Sequence, residues 1–144
     1  MWSPWTKTDK EVLEKVQKRA VGMVTNFKGK TYEEKLVEAG MVTLEERRRR
    51  GDLIQMYRVM NTVDNVDPNI WFTREVSRQG AASTRQTAGF MNVVRNEGNH
   101  DIRKNFWSNR VVDHWNGLPE CVKKSETLHW FKNSIDNLSK KNKY

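Results

Sequence analysis

The stretch Thr43–Met60, TLEERRRRGDLIQMYRVM, decides how the rest of the chain is read. It opens on a Thr-x-x-Glu capping box, Thr43 with Glu46, in which each side chain satisfies an amide donor that a helix start leaves orphaned. Four consecutive arginines follow, Arg47 to Arg50, and then an apolar set: Leu53, Ile54, Met56, Tyr57, Val59 and Met60. The apolar residues recur at helical spacing, so one half of the segment is built for a core while the other presents charge. At about 100° per residue the four arginines point in well-separated directions and cannot all face one ligand. Glu45 and Glu46 stand four residues before Arg49 and Arg50, and Asp52 four after Arg48, which is ion-pairing spacing on a helix. This geometry predicts Arg49 and Arg50 as structural, bridging neighbouring helices through carboxylates. It leaves Arg47 and Arg48 for phosphate.

Two more capping boxes lie upstream. Thr8 with Glu11 predicts a first helix with a core face of Leu13, Val16, Ala20 and Met23, flanked by Val12 and Val24. Its other face holds Lys10, Glu14, Lys15, Lys18 and Arg19. Asn26–Lys30 reads as a turn around Gly29, and Thr31 with Glu34 opens a short helix that Gly40 stops. Trp2 and Trp5, on either side of Pro4, either pack beneath the first helix or stand in an exposed apolar patch.

Downstream, Asp64–Pro68 reads as a turn in which Asp67 caps a short helix with Pro68 in its first position, carrying Ile70, Trp71 and Phe72. The pattern fades from 73 to 100, a long irregular loop with one short strand over 90–94. Helical spacing returns with Phe106, Trp107, Val111 and Trp115, and Gly117-Leu118-Pro119 ends that run. Ser125 or Thr127 caps a last helix with core residues Leu128, Phe131, Ile135 and Leu138. The expected fold is all-α, a small bundle of about five to six helices in a single domain over 1–144. Its parts are a helical N-terminal part (8–72), the loop (73–100), a helical C-terminal part (101–138) and a basic tail (139–144).

The formal charge of +8 and pI near 9.7 favour a polyanionic partner. The excess sits at the ends: residues 1–50 carry 12 basic and 8 acidic side chains, 51–100 carry 5 and 5, and 101–144 carry 9 and 5. One cysteine, Cys121, allows no intrachain disulfide, which fits a reducing compartment. There is no secretory signal pattern and no run near the ~18 apolar residues of a membrane span. The expectation is an intracellular protein of nucleus or cytoplasm, with no membrane association.

Catalytic chemistry finds little purchase. Two-metal phosphoryl transfer needs paired carboxylates, and the chain has no Asp-Asp pair; Asp64 and Asp67 fit turn chemistry. His100, His114 and His129 are too dispersed for a zinc site, and Cys121 with one of them lacks the rest of a nucleophile's constellation. The expectation is no enzyme, no metal and no cofactor. Trp107 and Trp115 with Val111 between them read as core rather than as base-stacking platforms, whereas Trp130 falls beside the apolar face of its helix.

Six blocks in one order carry a family resemblance: WSPWTK (2–7), LEKVQKRA (13–20), YEEKL (32–36), TLEERRRRGDLIQMYRVMN (43–61), RKNFWSNRVVDHWNGLPE (103–120) and SETLHWFKNSID (125–136). Together they resemble the C-terminal, thumb and post-thumb, region of reverse transcriptases of LINE-type non-LTR retrotransposons, particularly the jockey-like group. The resemblance implies a helical extension that follows the polymerase palm, with the palm and its catalytic carboxylates outside these 144 residues. It also implies nucleic-acid contact, because thumbs track the primer–template duplex. The phosphate-contact candidates are Lys15, Lys18, Arg19, Arg47, Arg48, Arg103, Lys104 and Arg110. Three readings follow: a non-catalytic remnant that binds RNA or RNA–DNA hybrid without sequence choice, an interaction module that self-associates or meets a protein through exposed aromatics, or a truncated-element reading frame with no cellular role.

Overall fold

A computed structural model describes residues 3–74, 91–95 and 104–141. The protein is all-α in character. Its α-helices among the described residues are α1 (Lys7–Gly22), α2 (Tyr32–Glu38), α3 (Leu44–Met60), α4 (Trp107–Asn116), α5 (Glu120–Lys123) and α6 (Leu128–Lys141). Two-residue strands β1 (Thr73–Arg74) and β2 (Val93–Val94) pair antiparallel, Thr73 opposite Val94. The chain falls into two compact units, Met1–Gly51 and Asp52–Tyr144. The boundary lies inside α3, where charge gives way to the apolar set. Most of the 73–100 loop, Arg103 and the end of the basic tail lie outside the described residues.

In the first unit α1 begins two residues before its predicted box. Thr6 is the cap, its hydroxyl accepting from the amide of Asp9 at 3.1 Å. Thr8 and Glu11 stand within the helix instead, and Glu11 pairs with Lys7. The expected core face is also displaced. Val12, Val16 and Met23 are 52%, 65% and 69% exposed, while Gln17 and Val21 are buried. Polar ties set this rotation: Gln17 donates its amide to the carbonyl of Val42 at 3.0 Å. Glu14 accepts from the Tyr32 hydroxyl at 2.6 Å and the Leu44 amide at 3.2 Å. Trp5 is 52% exposed; Trp2 lies outside the described residues.

The second box forms in full. The Thr31 side chain accepts from the Glu34 amide while Glu34 accepts from the Thr31 amide, which lowers the Glu34 pKa; the backbone hydrogen bond is the main cause. Gly40 at φ +63° takes the left-handed position after α2, and Met41 donates back to the Leu36 carbonyl at 2.8 Å. Thr43 caps α3 by accepting from the Glu46 amide at 3.2 Å.

The second unit holds the core. Leu53, Met56, Tyr57, Val59 and Met60 of α3 join Phe72, Val93, Trp107, Val111, Val112, Trp115, Val122, Phe131 and Ile135 in one buried cluster. Tyr57 stacks on Phe131 with centroids 4.4 Å apart and donates its hydroxyl to the Ser125 carbonyl at 2.6 Å. Asp67 and Pro68 make the expected short 3-10 turn, which buries Phe72 but leaves Ile70 exposed. Trp107, Val111 and Trp115 form the expected buried stripe of α4, and Phe106 falls off it at 50% exposed. The Thr127 hydroxyl, not Ser125, caps α6 by accepting from the Trp130 amide at 3.2 Å.

Residues 91–93 are latched to the end of α4. Asn116 bonds both backbone groups of Val93, at 3.2 and 2.9 Å, and the Trp115 indole donates to the Met91 carbonyl at 2.8 Å. The buried Lys123 ammonium donates to Asn92 Oδ1 at 2.8 Å and to the Asn116 carbonyl at 3.1 Å. Burial among these neutral acceptors holds its pKa below the usual lysine range.

The Tyr32–Glu14 bond has a measurable pH signature. Burial, and then the hydrogen bond that Tyr32 donates to the Glu14 carboxylate, push the Tyr32 pKa up from 10.0 to about 12. Above pH 10 the unfolded chain loses this proton first, so the contribution is complete below that pH and is lost as pH rises toward 12. Tyr32→Phe is expected to lower stability at neutral pH and to flatten the alkaline fall relative to wild type, read by urea denaturation at several pH values.

Candidate nucleic-acid interface

In the first unit the carboxylates are largely engaged. Glu11 pairs with Lys7, Glu38 with Lys30, and Glu45 with Lys10 at 3.8 Å. Glu14 and Glu34 are spent on hydrogen bonds, and Asp9 on the Thr6 hydroxyl. The cations are not matched to the same degree. Among the described residues Lys15, Lys18, Arg19, Arg47, Arg48 and Arg49 have no carboxylate partner.

Lys15, Lys18 and Arg19 are exposed on the second half of α1. The Lys18 ammonium lies 5.7 Å from the Tyr32 ring centroid, a cation–π contact that orients it without neutralising it. Arg47 and Arg49 are exposed on α3 and Arg48 is half-buried. Arg49 therefore departs from its expected structural role: Glu45, its intended partner, turns to Lys10. Arg50 is half-buried and partnered, in keeping with a structural position. Lys10–Glu45 is an ion pair that joins α1 to α3.

The second unit treats its candidates differently. Arg110 grips Asp52 bidentately, Nε to Oδ2 and Nη2 to Oδ1 both at 2.8 Å. Asp52 is 6% exposed, so the pair is a buried element of the fold, and Arg110 leaves the set of cations available to phosphate. Local spacing pairs Asp52 with Arg48, yet its partner in the fold is Arg110, 58 residues away. One signal pointed there: Asp52 falls on the same helical face as Met56, Val59 and Met60, and an acid on a buried face requires a base. Lys104 is exposed, and Arg103 lies outside the described residues.

No group of metal-ligating side chains occurs among the described residues, and no described helix is long and apolar enough to cross a membrane. No protein-family model, curated protein or solved structure matches the chain.

Two substitutions separate the structural arginine from the free one. Arg110→Ala strands a buried carboxylate and is expected to cost about 3 kcal/mol, seen as a large fall in the denaturation midpoint. Arg49→Ala is expected to stay within about 0.5 kcal/mol of wild type in the same measurement.

Proposed function

We propose that this chain is a non-catalytic module of the kind found at the thumb and post-thumb of LINE-type reverse transcriptases, and that it binds RNA or RNA–DNA hybrid through phosphate contacts. The observation that carries the reading is the charge imbalance of the first unit. Most of its carboxylates are committed to capping, to hydrogen bonds and to Lys7, Lys10 and Lys30, while Lys15, Lys18, Arg19, Arg47, Arg48 and Arg49 keep their charge uncompensated among the described residues. Cations displayed in this way bind a polyanion by releasing its condensed counterions, which gives affinity without base choice. The six ordered sequence blocks add the same direction from an independent source.

Salt is the direct test. If about four of these cations meet phosphates, log K is expected to fall by roughly 3 to 4 per tenfold rise in salt, in an anisotropy titration against an RNA–DNA hybrid. Arg47→Ala with Arg48→Ala is expected to weaken binding equally across sequences and to shallow the slope by about 2. Absence of binding at low salt removes the reading.

A second reading has its own observation. Trp71 and Phe106 stack with centroids 6.3 Å apart at 14°, while 37% and 50% exposed, beside Ile70 at 74%. Such a patch fits a protein surface or a second copy of the chain. Light scattering over a concentration series is expected to show self-association that Trp71→Ser abolishes; a strict monomer argues against self-pairing through this patch.

A further inference from the structure

A cleft of about 490 Å³ opens in the second unit, lined by Cys121, Lys124, Ser125, Glu126, Thr127 and Trp130. Trp130 is the feature that needs an account. The buried residues of α6 are Phe131 and Ile135, with Leu128 and Leu138 packed partly against the core, and Trp130 is 51% exposed. Unlike Trp71, it meets no other ring among the described residues. The fold does not use this indole, yet it holds the indole's backbone firmly. The Thr127 hydroxyl fixes the Trp130 amide, and the Tyr57 hydroxyl fixes the Ser125 carbonyl.

The charges of the lining select among ligands. Lys124 is paired with Glu120 at 3.3 Å, and Glu126 adds a further carboxylate to the cleft. A bare phosphate meets no uncompensated cation here, and a wholly apolar ligand meets polar walls. A neutral heteroaromatic ring fits both facts, with its face on the indole and its donor and acceptor edge toward the Glu126 carboxylate and the Thr127 and Lys124 side chains. The volume lies within the ordinary range for a small-molecule site, about 300–1,000 Å³. We infer that this cleft is a stacking site for an unpaired nucleobase of a single strand. The inference rests on the nucleic-acid reading above and adds a preference that phosphate contacts alone do not give, because a paired base keeps its faces inside the duplex.

The test uses the full chain with a short single strand carrying photoreactive iodocytosine, and with the RNA–DNA hybrid as comparison. The cross-link is expected within residues 125–132, at Trp130. Trp130→Ala is expected to weaken single-strand binding roughly tenfold, to leave hybrid binding unchanged and to leave the melting temperature in place, since the side chain is exposed. Alkylation of Cys121, the sole cysteine, with N-ethylmaleimide crowds the cleft and is expected to give the same selective loss, to which Cys121→Ser protein is immune. Cross-links elsewhere, or equal losses for strand and hybrid, overturn the stacking site and leave the general nucleic-acid reading standing. No binding of either at low salt overturns both.

Discussion

The Tyr57 side chain fixes most of the second unit. Its ring stacks on Phe131, whose other neighbour is Trp115 at 6.1 Å, and its hydroxyl donates to the Ser125 carbonyl. One residue therefore sets the distance between α3 and α6, the position of the turn that starts α6, and the packing of α4 behind it. The hydroxyl matters as much as the ring, since a buried carbonyl without a donor costs about 1–3 kcal/mol. Its pKa is raised by burial alone, which keeps the phenol protonated and donating at every ordinary pH. The turn so fixed is also one wall of the Trp130 cleft, so the constraint that builds the core positions the candidate site.

The first unit is held on another principle. Val21 and Leu36 are its only buried hydrophobics among the described residues, and its helices are joined by Gln17, Glu14 and the Lys10–Glu45 pair. A unit joined by polar side chains consumes its carboxylates as structural acceptors. The cations beyond Lys7, Lys10, Lys30 and Arg50 then find no carboxylate among the described contacts, and a modest net charge becomes a set of uncompensated ones. Local electrostatics thus follow from how the unit is packed rather than from composition alone.

Much of this was legible in the sequence where the cause is local. The Thr31–Glu34 box, the Gly40 stop, the Asp67–Pro68 turn and the Trp107-Val111-Trp115 stripe depend on neighbours within a few residues, and each stands where the pattern predicts. Two failures share one reason. On α1 the apolar spacing of Leu13, Val16, Ala20 and Met23 marks a core face, but Gln17 and Glu14 find acceptors and donors 18 to 30 residues away and turn the helix toward them. The i,i+4 spacing pairs Asp52 with Arg48, but Asp52 belongs to Arg110. Periodicity reports which residues share a face; it does not report which face meets the chain that returns. The end of α3 shows the same limit: no glycine or proline marks it, Thr62 takes the left-handed position at φ +53°, and Asp64 closes the corner by accepting from Gln55 and Arg58.

Stability asks little of the arginine run. Glu45 and Glu46 occupy the first turn of α3, where the helix dipole favours acids. Arg47 to Arg49 follow at once, at the end where that dipole gives cations no support. Arg50 is partnered within the fold, but Arg47, Arg48 and Arg49 gain neither a carboxylate nor a dipole among the described contacts. Exposed lysine, glutamine or alanine serves such positions as well for helix formation. Planar guanidinium groups, always charged and shaped for two-point contact with phosphate, are what those residues would lack. The charged half of α3 therefore carries two exposed guanidinium groups, Arg47 and Arg49, that no carboxylate compensates among the described residues.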